Sequence, residues 1–143
     1  GLGVLARLRS AFGPVIAGVK DSSGNWSYTE ALIRAQPDLT ILVGNEGHLA
    51  RAVQLGASGA ISGLANFAPE LVGKLVAGRA DARIYGILEA VLARPVNPAI
   101  KAYMAARIDP AWGRLLPPLM PIEAGDAAVL VKAIDASLAQ PET

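Results

Sequence analysis

A single lysine, Lys20, closes a short apolar run at positions 15–19 and opens onto a polar turn that contains glycine. A run without polar alternation is typical of a strand that is buried on both faces. An ammonium group held among apolar neighbours loses hydration, so its pKa falls and part of it becomes neutral amine. Such an amine attacks a carbonyl carbon and forms a Schiff base. Lys20 is therefore the candidate nucleophile; the alternative is a lysine that ends a strand and extends into water.

Three apolar segments predict three parallel strands, at about 15–20, 39–43 and 59–62. Helical patterns separate them, and this spacing is typical of compact βα repeats. In such folds the groups that do chemistry lie at the carboxyl ends of the strands. We therefore expect the residues that follow each strand to lie at the same edge of the sheet as Lys20.

Helical spacing of apolar residues predicts helices over most of the remaining chain. The Ser-x-x-Glu spacing of Ser27 and Glu30 is that of a capping box, which predicts the start of one helix. The predicted helices are 4–12, 28–35, 48–55, 69–77, 80–93, 97–107 and 126–139.

Composition limits the class of protein. The chain has 143 residues, of which 52% are hydrophobic and 17% charged, as in a globular domain with a fair core. No apolar run approaches the ~20 residues that span a bilayer, and no signal peptide is recognised at the amino end. The net charge of +1, with both signs scattered, argues against a nucleic-acid surface. The absence of cysteine fits a reducing cytosol and predicts a cytoplasmic location; with His48 as the one histidine, it also argues against a metal site.

Three segments resemble one known family. The segment GVKDSSG at 18–24 resembles the Schiff-base lysine segment of the dihydrodipicolinate synthase and N-acetylneuraminate lyase superfamily. The segment VGNE at 43–46 resembles the glycine-led substrate loop of that family, and GAISGLAN at 59–66 resembles its last barrel strand. The spacing between these three segments also agrees with that of the family. The family consists of class I pyruvate-dependent aldolases built on a (β/α)8 barrel.

This resemblance implies a fold class and a domain organisation. A complete (β/α)8 barrel takes ~250 residues, more than this chain has. We therefore expect an α/β fold that is a partial (β/α)8 TIM barrel, with the last three βα units followed by carboxyl-terminal helices. Residues 1–93 would form the carboxyl-terminal part of the barrel, and residues 94–143 the helical segment.

The resemblance also implies the site residues and their roles. Lys20 would condense with the ketone of pyruvate or a related 2-oxo acid, in chemistry that needs no metal and no cofactor. Gly44 would border the bound pyruvyl group, Asn45 and Glu46 would face the rest of the substrate, and Ile61 would pack beside the imine. Alternatives exist for three of them: Gly44 as a turn glycine, Glu46 as the start of the next helix, and Ile61 as a core strand residue.

Parts of the family's machinery are absent from the sequence. The proton-relay tyrosine motif and the Gly-Thr-Thr-Gly-Glu loop for the substrate carboxylate do not occur. We therefore expect little or no turnover from this chain alone, since positioning and acid-base help supply much of the rate. The expected partners are a 2-oxo acid, an aldehyde, and either further copies of the chain or a complementary amino-terminal half. The alternative function is a non-catalytic half-barrel that serves as a structural or assembly module.

Overall fold

A computed structural model describes residues 1–142, which form three parallel strands and seven α-helices. The strands are β1 (Gly18–Asp21), β2 (Thr40–Val43) and β3 (Gly59–Ala60). The helices are α1 (Leu2–Phe12), α2 (Trp26–Ala35), α3 (Glu46–Gln54), α4 (Pro69–Val76), α5 (Arg83–Leu92), α6 (Val96–Arg107) and α7 (Ala124–Leu138). The predicted α/β class and the order of its elements are confirmed.

The sheet brings the carboxyl ends of its strands together. Its order is β1-β2-β3, and both neighbouring pairs are parallel. Lys20 is paired with Leu42, and Leu42 with Gly59. Because parallel strands end at the same edge, Gly44 and Ile61, which follow β2 and β3, lie at the edge where β1 ends. The expected common edge is confirmed.

The first compact unit comprises Gly1–Ser62 together with Val76–Gly78. In it, α2 and α3 pack against β2, and their apolar sides form the core with the strand. Among the side chains withdrawn from water are Leu32, Ile41 and Leu49. Burial of one such side chain stabilises the fold by about 1.5–3 kcal/mol. This core is what holds the three strand ends in place.

The second compact unit comprises Gly63–Leu75 and the chain from Arg79 onward. It is helical, and α7 packs against α5 and α6 around the buried residues Ile87, Leu130 and Ile134. None of the helices between residues 1 and 142 has the length and apolarity needed to cross a bilayer. We predicted a different division, into a barrel part at 1–93 and a helical segment at 94–143. The compact units are defined by packing within the chain and do not test that division, which stays a prediction.

The predicted limits and burial of the first strand are wrong. Positions 13–15 form a 3-10 turn instead, since Pro14 has a fixed φ and no N–H for a strand ladder. The strand begins at Gly18 and ends at Asp21, one residue beyond Lys20. It is not buried on both faces, since Gly18 and Lys20 are exposed and only Asp21 is buried.

The predicted capping box is also wrong. The helix α2 is capped by Asn25, whose side-chain oxygen accepts a hydrogen bond from the backbone N–H of Tyr28 at 3.2 Å. Asparagine is at least as good a cap as serine, so the helix begins before Ser27. Glu30 does not reach back to the cap; its carboxylate accepts from the indole N–H of Trp26 at 3.1 Å.

Close packing between α5 and α7 at Gly86 predicts a measurable stability change. A β-carbon at Gly86 would collide with the hydroxyl of Ser137, a buried residue of α7. Gly86→Ala gains about 1 kcal/mol of helix propensity, but overpacking costs about 1–3 kcal/mol, so we expect net destabilisation. The double variant Gly86→Ala/Ser137→Ala removes the colliding hydroxyl and should recover stability in urea unfolding. Equal loss in the single and double variants would contradict this packing.

Candidate active site

Lys20 lies at the second-last position of β1, next to the buried Asp21. Successive residues of a strand point to opposite faces, which accounts for an exposed Lys20 beside an Asp21 that is only 6% exposed. The expectation that Lys20 stands among apolar neighbours is not met within residues 1–142, because β1 is the edge strand there. The candidate amine is therefore accessible to a ligand at the strand end.

The carboxylate of Asp21 organises the loop that follows Lys20. One oxygen accepts from the hydroxyl of Thr29 at 2.5 Å, and the other accepts from the backbone N–H of Ser23 at 2.9 Å. Burial raises the pKa of Asp21, but these hydrogen bonds and the attraction of His48 outweigh it, so the pKa is lowered. The loop and the first turn of α2 are thus tied to one ionised carboxylate.

This carboxylate predicts that part of the chain's stability is sensitive to acid. Because the folded pKa of Asp21 lies below its ordinary value of 3.8, its stabilising contribution is present above that pH. The contribution is lost as the pH falls through the lowered folded value. Asp21→Asn cannot titrate, so it should lose less unfolding free energy than the wild type between about pH 5 and about pH 2. Urea unfolding at both pH values measures this; equal losses would contradict it.

Gly44 is required by close packing between two loops of this edge. Its N–H donates to the backbone oxygen of Asp21 at 2.7 Å. A β-carbon at this position would lie 2.5 Å from the hydroxyl of Ser22 and 3.0 Å from the same backbone oxygen. No side chain fits there without a shift of backbone, so this structure gives Gly44 a definite role in holding the loops together. Its role beside a bound pyruvyl group stays a prediction.

Asn45 and Glu46 form the start of α3. The Asn45 side chain caps the helix by accepting from the N–H of Gly47 at 3.0 Å. Glu46 is the first helical residue, 7% exposed, and its carboxylate accepts from the hydroxyl of Ser62 at 2.5 Å. The helix therefore starts before His48, where the sequence predicted it, and the alternative reading of Glu46 as a helix start is confirmed. That either side chain also faces substrate stays a prediction.

Ile61 lies just beyond the last paired residue of β3. The pairing ends at Ala60, so Ile61 is outside the strand and is 52% exposed. Its reading as a core strand residue is wrong for this reason. An exposed apolar side chain at the edge can border a ligand, and the predicted place of Ile61 beside the imine stays a prediction.

Sequence reasoning missed Thr29 and Ser62, and gave Asp21 no role. The alternation of β1 was a usable signal, since it sends Asp21 to the face opposite Lys20 and towards α2. The sequence contains no comparable signal for the contact between Ser62 and Glu46, because that contact depends on how β2 and β3 end. The two serines that follow Asp21 also make contacts in this loop: Ser22 lies against Gly44, and the Ser23 hydroxyl accepts from the N–H of Asn25 at 3.2 Å.

Known proteins match the chain over nearly its whole length. A sequence model of the Dihydrodipicolinate synthetase family matches residues 3–137. An uncharacterised DapA-like lyase from Chloroflexus aurantiacus is 31% identical over 146 residues, which covers 95% of this chain and 48% of the relative. The crystal structure of dihydrodipicolinate synthase from Agrobacterium tumefaciens is 41% identical with a TM-score of 0.90, covering 95% of this chain and 48% of that one.

A further solved structure was determined with a ligand. It is a prophage protein of the dihydrodipicolinic acid synthase family from E. coli, in complex with pyruvate, and it is 25% identical with a TM-score of 0.74. The match covers 94% of this chain and 49% of that protein. The chain thus spans about half the length of the relatives it matches. The family match over residues 3–137 establishes that the chain belongs to the dihydrodipicolinate synthetase family.

Proposed function

We propose that this chain carries the imine-forming half of a class I lyase that acts on pyruvate or a related 2-oxo acid. Its three strands would be the last three βα units of a (β/α)8 barrel, followed by the carboxyl-terminal helices. The observation that carries the proposal is the meeting of Lys20, Gly44 and Ile61 at one edge of the sheet, each at the end of a different strand. The pyruvate complex of the E. coli relative supports the choice of substrate.

The proposed reaction begins at the Lys20 amine. The nitrogen lone pair attacks the ketone carbon of pyruvate, and loss of water leaves a protonated imine. This group withdraws electrons, so the neighbouring methyl loses a proton and becomes an enamine. The enamine carbon then adds to an aldehyde carbonyl, or forms in reverse when a longer 2-oxo acid is cleaved. Water finally hydrolyses the imine and returns the free lysine.

The residues around Lys20 have distinct proposed roles. The backbone of Gly44 borders the pyruvyl group, and Ile61 supplies an apolar wall beside the imine. Asn45 and Glu46 lie nearest to where the aldehyde-derived part would extend. Because the Glu46 carboxylate already accepts from Ser62, we assign it a smaller share of substrate recognition than Asn45.

We expect the chain alone to form the imine but to show little or no turnover. Lys20 is exposed, and the sequence has neither the family's tyrosine motif nor its Gly-Thr-Thr-Gly-Glu loop. Proton transfer and carboxylate binding would then need a complementary chain, and the lack of these two functions removes much of the rate. A cytoplasmic location remains part of the proposal.

Borohydride reduction in the presence of pyruvate tests this function. Reduction fixes the imine as a stable secondary amine, which intact-mass measurement detects as a pyruvyl adduct on the chain. We expect an adduct with pyruvate and none with lactate, which has the same carboxylate but no ketone. A chain that shows no adduct with pyruvate would contradict the proposal.

The second candidate function, an assembly module, is favoured by an apolar stripe on α1. Val4, Leu8 and Phe12 are spaced four residues apart on this helix, and all three are exposed. Covering such a stripe with a second copy of the chain would remove it from water. Light scattering should then show a dimer that Leu8→Glu dissociates, in the absence of any pyruvyl adduct. A monomer over the whole concentration range would contradict this candidate.

A further inference from the structure

We infer that Asp21 is a positioning residue for Lys20, holding the end of the lysine strand against the neighbouring loops. The inference rests on the proposed function, because it concerns how the Lys20 amine is presented to a 2-oxo acid. It assigns a role in that reaction to a residue that itself faces away from the ligand.

The contacts of Asp21 join three parts of the edge. Its two carboxylate oxygens bind the Thr29 hydroxyl in α2 and the Ser23 N–H in the following loop. Its backbone oxygen accepts from the N–H of Gly44, in the loop after β2. A single residue next to Lys20 in sequence is therefore fixed to its own loop, to the next helix and to the next strand's loop.

The chemistry of these contacts favours a well-defined position for Asp21. A buried carboxylate is costly unless hydrogen bonds compensate it, and Asp21 is 6% exposed. Hydrogen bonds to an ionised acceptor are shorter and stronger than neutral ones, so they define the position of the strand end closely. The backbone of Lys20 is bonded directly to that of Asp21, so movement of Asp21 moves the lysine. A misplacement of about 1 Å can cost about 100-fold in rate.

Thr29 offers the cleanest way to weaken this contact. Thr29→Val keeps the shape of the side chain and removes the hydroxyl, which lies 2.5 Å from the Asp21 carboxylate and 3.1 Å from the backbone oxygen of Asn25. Thr29→Ser keeps the hydroxyl and removes a methyl group, so it serves as the matched control. Thr29 is neither the proposed nucleophile nor part of the substrate loop. Circular dichroism with urea unfolding shows whether each variant is folded.

Two reactions at Lys20 separate positioning from a merely structural role. Reductive methylation with formaldehyde measures how accessible the Lys20 amine is. Reductive trapping with pyruvate also depends on where that amine lies relative to the neighbouring residues at the sheet edge. We expect Thr29→Val to trap pyruvate at Lys20 about ten-fold more slowly than the wild type, with an unchanged methylation rate. Thr29→Ser should restore the trapping rate. The half-saturating pyruvate concentration should change less than the limiting rate.

The outcomes distinguish this inference from the proposed function. A wild-type chain that forms no pyruvyl adduct contradicts the proposed function itself. A wild type that is trapped, beside a folded Thr29→Val that is trapped equally fast, overturns the positioning role alone. Equal slowing of methylation and trapping in Thr29→Val also overturns it, because accessibility rather than placement would then have changed.

Discussion

Replacing Lys20 with alanine should eliminate the pyruvyl adduct trapped by borohydride and leave the unfolding free energy nearly unchanged. The adduct disappears because the proposed nucleophile is gone. Stability hardly changes because Lys20 is exposed, and substitutions at exposed positions are usually within about 0.5 kcal/mol of neutral. Intact-mass measurement after reduction and urea unfolding of the same sample give the two values.

Lys132→Ala is the matched control for this prediction. Lys132 is also exposed, but it lies on α7 in the second compact unit, away from the sheet edge that holds Lys20 in the first. We expect this variant to keep both the adduct and the stability of the wild type. An adduct that persists in Lys20→Ala, or that is lost equally in both variants, would show that Lys20 is not the imine-forming residue.

Gly44→Ala should destabilise the chain by about 1–3 kcal/mol, the usual cost of overpacking, and should also slow trapping by pyruvate. The added β-carbon would collide with the Ser22 hydroxyl and with the backbone oxygen of Asp21. Relief requires the loop after β2 to move away from the end of β1, which breaks the hydrogen bond from Gly44 to Asp21. Urea unfolding and the rate of adduct formation measure the two effects.

The control for Gly44→Ala is the same substitution at Gly73. A β-carbon at Gly73 in α4 would meet no atom within 4 Å, so Gly73→Ala should be neutral or should stabilise the helix by up to about 1 kcal/mol. If Gly44→Ala is as stable as the wild type and is trapped by pyruvate as fast, then the close packing of the two loops is needed neither for stability nor for trapping.

The sequence was sufficient where local patterns decide the structure. Apolar runs separated by helical periodicity predicted the strands and helices in order, and the parallel arrangement then predicted one common edge for Lys20 and the loop that begins at Gly44. The start of the first strand was predicted wrongly because a 3-10 turn over positions 13–15 includes the first residue of the apolar run. Ser27 was preferred as a cap by its motif, although Asn25 was available two residues earlier.

The contacts that shape the candidate site depend on tertiary structure. Glu46 and Ser62 are 16 residues apart and meet only because β2 and β3 are neighbours. Thr29 reaches Asp21 because α2 packs on the sheet directly after the lysine loop. The exposure of Ile61 follows from the short pairing of β3, which periodicity alone does not show.

The most direct test of Lys20 as the imine-forming residue is peptide mapping of the wild-type chain after borohydride reduction in the presence of pyruvate. The chain offers three other lysines as internal controls: Lys74 is paired with Glu142, Lys101 lies near Trp112, and Lys132 is exposed. We predict that the pyruvyl adduct is confined to the peptide that contains Lys20. Equal labelling of Lys20 and the other three, or an unmodified Lys20, would contradict the assignment of an imine-forming lysine to this edge of the sheet.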